Sequence, residues 1–156
     1  MKKSINLSWK TVIIESLGLI LLISGVKRFY FSTQPILNQE TDKLTSESIV
    51  YFLMESALWG IGTLIFAGLI IGILKWKLKQ SIIDSVLAII FVFALFPFGF
   101  FNGGLFNSIF NSIGGLFTDI KTSSALISGI ILTVIGFSLL WRSIKSKIKQ
   151  HTTPYI

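Results

Sequence analysis

Four long apolar stretches fill most of this sequence, and a backbone that must sit in lipid has few conformations open to it. Peptide groups left unpaired in hydrocarbon are too costly, so each stretch is expected to be helical along its length. A helix needs about 20 mainly apolar residues to cross the hydrocarbon core. The stretches fall at about residues 9–30, 49–74, 82–101 and 125–141. From Trp9 to Tyr30 the helical rise gives roughly 31 Å, a match to the bilayer core. Both of those aromatics favour the membrane interface. Charged residues are 13% of the sequence and hydrophobic ones 52%, whereas soluble domains carry about 25% charged residues. The class is therefore an all-α integral membrane protein, one domain of 156 residues.

The first stretch competes with a cleaved signal peptide, since Lys2 and Lys3 precede an apolar run. No A-x-A-like site follows, and Glu15 sits early in the run, so a retained first helix is expected. The net charge of +7 would point to nucleic acid in a soluble protein. Here the cations cluster at the ends of apolar stretches, the pattern that sets membrane orientation, so no nucleic-acid partner is expected. With both termini cytoplasmic, the inner side holds Lys2, Lys3, Lys10, Lys75, Lys77, Lys79, Arg142, Lys145, Lys147 and Lys149. The outer side then holds Lys27, Arg28, Lys43 and Lys121. The expected location is a plasma membrane, bacterial by the protein classes weighed below.

The connections suit that topology. "KWKLKQ", residues 75–80, reads as a tight cytoplasmic turn, and "SIID", residues 81–84, as a capping box opening the third span. "STQPILNQETDKLTSES", residues 32–48, is polar and broken by Pro35, so it reads as an outer loop. Pro97 is placed to kink the third span near its end.

Between spans three and four lies "LFNSIFNSIGGLFTDI", residues 105–120. Leu105, Phe106, Ile109, Phe110, Ile113, Leu116, Phe117 and Ile120 recur at a helical period. Asn107, Asn111, Thr118 and Asp119 fall on the opposite face, and "GGLF" repeats after eleven residues, close to three helical turns. An additional extracytoplasmic amphipathic helix is expected over 105–120. Three placements stay open for it: lying in the interface, packing on the bundle, or lining a water-filled space in an oligomer.

Carboxylates inside spans are functional candidates by default. Glu15 lies roughly 9 Å below the cytoplasmic interface and Glu55 a similar depth below the outer one. Glu15 has Lys75 or Arg142 at its level, and Glu55 has Lys27 or Arg28. Structural ion pairs, a proton or ion pathway, and a contact to a substrate or quinone are the three readings. Small residues mark close helix contacts: Gly68 and Gly72 are spaced G-x-x-x-G, Gly60 lies higher on the same span, and Gly129 sits between Ala125 and Thr133 at four-residue steps. These suit intrachain packing or a homo-oligomer. The tail, residues 142–156, continues the last helix with Arg142, Lys145 and Lys149 on one side, suited to anionic headgroups of the inner leaflet.

No phosphate loop, Ser/His/Asp constellation or metal-ligand cluster occurs, and there are no cysteines. No cofactor and no metal are expected. The function class is a small multi-pass membrane protein, non-enzymatic, acting by assembly, membrane perturbation or conduction. Holins, small channels, toxin-immunity proteins and phage-defence effectors fit it, with the bilayer and a copy of itself or another membrane protein as partners.

"GLILLISGVKR", residues 18–28, and "ESALWGIGTLIFAGLIIG", residues 55–72, resemble the first two helices of the DoxX family of small four-helix membrane proteins. That resemblance implies a membrane subunit associated with a quinone or redox system. Glu15 stands where the family's pattern has an arginine, and residues 103–120 have no counterpart in it. The expected architecture is a four-transmembrane-helix bundle with one extra amphipathic helix outside.

Overall fold

The computed structural model of the protein describes residues 7–33, 46–97, 100–101 and 104–151. Among them are five helices and no strand. They are α1 (Trp9–Ser32), α2 (Ser46–Lys77), α3 (Ile83–Ala94), α4 (Gly104–Gly115) and α5 (Lys121–His151). Three contain stretches long and apolar enough to cross a membrane: Trp9–Tyr30, Ala57–Lys77 and Lys121–Lys145. Most of the polar outer loop predicted over 32–48 lies outside the described residues.

Side chains sort in the manner of a protein solvated by lipid. Leu58, Ile65, Phe66 and Leu69 of α2, Ile90 and Phe91 of α3, and Val134 and Phe137 of α5 all point outward and are exposed. The interior holds Leu19, Ile23, Leu64 and Val92, but also Glu15, Lys75, Asp84, Ser85, Ser128 and Ser143. Water would reverse that arrangement; in hydrocarbon, polar groups gain by turning inward to one another.

Helix α1 is the centre of the bundle, and its main neighbour is α5. The two run antiparallel: Glu15, near the start of α1, meets Ser143, while Arg28, near its end, meets Ser128. The approach is close because glycines line it at seven-residue steps, Gly18 and Gly25 on one helix, Gly129 and Gly136 on the other. A Cβ on Gly25 would lie 2.5 Å from the Thr133 backbone nitrogen, and one on Gly136 2.6 Å from the Leu22 nitrogen. Helix α2 descends beside α1, bringing Glu55 to Tyr30 at one end and Lys75 to Glu15 at the other. Helix α3 packs beside α1 and α2, and α4 packs on α5.

The third pass differs from the continuous span predicted over 82–101. Helix α3 stops at Ala94, and its 12 residues rise only about 18 Å. Pro97 cannot donate to the carbonyl of Phe93 and disfavours helical geometry at Phe96. The backbone instead tightens into three-residue turns, Leu95 N to Val92 O and Phe96 N to Phe93 O. The capping box at its start is also rearranged. Ser81 Oγ does accept, from Ile83 N at 3.4 Å. Asp84, fully buried, accepts from the backbone nitrogen of Ser8 at 3.1 Å and so holds the start of α1.

The amphipathic helix is shorter than the predicted 105–120. Helix α4 ends at Gly115, because two successive glycines weaken it, each by up to ~1 kcal/mol against alanine. Leu116 and Phe117 follow in a turn, so the second "GGLF" ends the helix rather than prolonging its apolar stripe. Asp119 precedes α5, where a negative charge suits the helix dipole. Helix α5 starts at Lys121 rather than near residue 125, because the polar turn before the apolar run is already helical.

Helix α2 closes in a Schellman motif. Gln80 N donates to Lys75 O and Lys79 N to Trp76 O, with Lys79 at φ 52°. That left-handed conformation costs a side-chain-bearing residue about 1–2 kcal/mol. Lys79→Gly is therefore expected to raise stability by about 1 kcal/mol in a denaturation series. A neutral or destabilising result would mean the turn takes another shape.

Candidate functional site

Two polar layers cross the bundle, separated along α1 by the apolar residues between Glu15 and Lys27, roughly 18 Å at the helical rise. The lower layer draws one side chain from each of α1, α2, α3 and α5. Lys75 Nζ donates to Glu15 Oε1 at 2.5 Å, and the two side chains are 0% and 1% exposed. Ser143 Oγ donates to the same carboxylate oxygen at 2.6 Å, and Ser85 Oγ to Oε2 at 2.6 Å. Lys75 also reaches Ser85 Oγ at 2.5 Å. The carboxylate thus has three donors and the ammonium two acceptors, which is what a charge pair removed from water needs. Beside it, the Gln80 amide donates to Ile144 O at 3.1 Å, tying the α2–α3 turn to α5.

Of the two basic partners predicted for Glu15, Lys75 is the one present; Arg142 points outward and is exposed. The serines were not singled out in the sequence. Their only signal there is a polar residue at the depth of Glu15 on each neighbouring span, which any helix packing against Glu15 would share.

The upper layer departs from the predicted pairing of Glu55 with Lys27 or Arg28. Glu55 accepts instead from the hydroxyl of Tyr30, whose ring stacks on Trp59 at 4.4 Å. Lys27 turns inward, donates to the backbone carbonyl of Phe101 at 3.2 Å and lies 5.9 Å from the centre of its ring. Arg28 donates to Ser128 Oγ at 2.8 Å and to the Asn111 side chain. The reason is where α3 ends. Its early termination leaves backbone carbonyls inside the bundle, and a lysine at that depth can satisfy one of them. Arg28 then holds α4 against α1 and α5.

Asn111 is accordingly occupied, and Thr118 Oγ1 accepts from Ile120 N at 3.2 Å. Asp119 is exposed, and the side chain of Asn107 lies outside the described ones. One face of α4 closes on α5: Phe110 is buried, and a Cβ on Gly114 would lie 2.1 Å from Ser124 O. Among the predicted packing glycines, Gly129 meets the backbone of α1, Gly60 meets the ring of Phe96 and Gly68 the side chain of Ile89, whereas Gly72 faces open space. Gly18, Gly25 and Gly136 do not stand out in the sequence, because they recur at seven-residue rather than four-residue steps. In the tail, Lys145 is exposed and the side chain of Lys149 is outside the described ones.

A second feature lies on the flank. Helices α2 and α5 touch little, and between them runs a groove of about 800 Å³, floored by Leu22 and Val26 of α1. It extends from Glu55 to Leu74 along α2 and from Phe137 to Ile144 along α5, with Glu55 and Thr63 as its polar lining residues. Comparison with known proteins finds no matching family model, no matching curated protein and no matching solved structure.

Proposed function

We propose that this chain is a non-enzymatic, multi-pass plasma-membrane protein that acts through lateral assembly within the bilayer. In this reading the chain crosses four times with both termini cytoplasmic. The third crossing is completed by the non-helical backbone after α3, and α4 caps the extracytoplasmic end. Backbone of that kind is tolerated at membrane depth only where protein covers it. The bond from Lys27 to Phe101 O and the tilted contact of the Phe96 and Phe101 rings, 4.6 Å between centroids, supply such cover.

One observation carries the assembly reading over conduction through a single copy: among the described residues, buried apolar side chains pack the section between the two polar layers. Leu19, Ile23, Leu64 and Val92 pack between the two polar layers, and the Glu15–Lys75 pair closes the lower one. Any effect on the bilayer then arises at the outer surface, where the groove is. Dye leakage from vesicles, measured against protein-to-lipid ratio, tests this. Leakage that is absent, or that rises more steeply than linearly, is expected. A linear rise starting at the lowest loading would mean that one chain conducts alone, and the reading would fall.

The groove's upper end supports a second reading. Glu55, Tyr30 and Trp59 form a polar, aromatic cluster there, which suits the head of a quinone, as the DoxX resemblance implies. A quinone absorbance in the organic extract of purified protein would favour that reading; its absence would leave the first.

A further inference from the structure

The groove between α2 and α5 cannot stay empty in a membrane, and its two ends differ in charge. Its walls are apolar along most of their length, with Leu22, Leu58, Gly62, Phe66, Phe137 and Trp141 among the lining residues. Glu55 to Leu74 spans roughly 28 Å along α2, comparable to the bilayer core. The upper end carries the Glu55 carboxylate. At the lower end the lining stops at Leu74 on α2 and at Trp141 and Ile144 on α5. One helical turn further on each helix, in the same register, stand Lys77 and Lys145. Both are exposed. Of the other described cations at this end, Lys75 is already neutralised by Glu15 inside the bundle, while Lys10, Lys79 and Arg142 are exposed but none stands one helical turn beyond a lining residue.

We infer that the groove is the binding site of one anionic phospholipid, with an acyl chain along α2 and α5 and its phosphate held by Lys77 and Lys145. Charge complementarity selects this occupant. A negative headgroup is drawn to the two lysines and repelled from the Glu55 end, so the lipid enters in one orientation only. Trp141, exposed at the same end, sits at the level where indole rings favour the glycerol and headgroup region. A second copy of this chain would instead bring the same lysines against each other or leave them unused. Gly62 opens the groove at mid-length, because a Cβ there would touch nothing within 4 Å. The inference rests on the reading of α2 and α5 as lipid-embedded spans.

The test is native mass spectrometry of the full chain in mild detergent, titrated with equal amounts of phosphatidylglycerol and phosphatidylcholine. One retained phosphatidylglycerol per chain is expected, preferred about thirty-fold, as two basic contacts near the headgroup imply. The Lys77→Gln/Lys145→Gln variant should bind the two lipids within about two-fold of each other. Gly62→Leu, which fills the groove without touching the core, should lose both lipids while its melting temperature stays within a few degrees of the unchanged protein. Equal retention of the two lipids by the unchanged chain overturns the inference, and so does a preference that survives both lysine substitutions. A lipid-free dimer abolished by Gly62→Leu would give the groove to a second copy instead. A chain that stays monodisperse without detergent would refute the membrane reading itself, which separates the two failures.

Discussion

Lys75→Met is expected to destabilise the detergent-solubilised protein by about 3–5 kcal/mol, the usual cost of stranding one member of a buried ion pair. The methionine fits the volume, so packing is not the cause. The loss comes from Glu15, which keeps the hydroxyls of Ser85 and Ser143 but no longer faces a positive charge. Both ions are essentially unexposed, so water cannot restore the balance. The double variant Glu15→Gln/Lys75→Met removes both charges and retains an acceptor for the serines. It should recover most of the loss, giving a coupling of about 2 kcal/mol or more. Denaturation followed by helical signal provides the measurement. If the single variant falls within 1 kcal/mol of the unchanged protein, on the scale of an exposed pair, the four-helix layer is not the closed element described above.

Gly25→Leu carries the second large effect. Overpacking a core costs about 1–3 kcal/mol when side chains can turn aside, and more when they cannot. Here the obstacles are backbone atoms of α5, the Thr133 nitrogen at 2.5 Å and the Gly129 oxygen at 2.7 Å from the new Cβ. Helices α1 and α5 would have to separate, which would also pull Ser143 from Glu15 and Ser128 from Arg28. A loss above about 3 kcal/mol, or failure to accumulate in the membrane, is the expected outcome. Gly72→Ala is the control. Its Cβ meets nothing within 4 Å, and the gain in helix propensity should make it neutral or more stable by up to ~1 kcal/mol. Equal stability of Gly25→Leu and Gly72→Ala would mean that the interface between α1 and α5 is elsewhere.

Some of the features behind these two predictions are legible in the sequence alone. The apolar run of α1 was legible, as was a chain reversal near residues 75–80, although α2 runs on to Lys77 before it turns, because hydropathy and turn chemistry are local. So was Lys75 as one of two partners for Glu15, since depth along a helix follows from a fixed rise per residue. The choice of Lys75 over Arg142 was not legible. Depth is a property of one chain segment, but direction depends on how each helix is rotated about its axis, and neighbours set that rotation. The same limit misassigned Glu55, whose partner Tyr30 is a phenol rather than a cation.

The sequence by itself determined that the chain is helical, that it carries stretches able to span a lipid bilayer, and that cations gather at their ends, because each of these depends on composition over a window of residues. Only the tertiary structure decided that α3 already ends at Ala94, before the proline that the sequence marked, that glycines seven apart rather than four apart seat α5 on α1, and that α2 stands away from α5 to leave a groove. Those depend on which surfaces approach and how closely. Residues such as Gly25 and Gly72 look alike in sequence but differ entirely in what their missing side chains would meet.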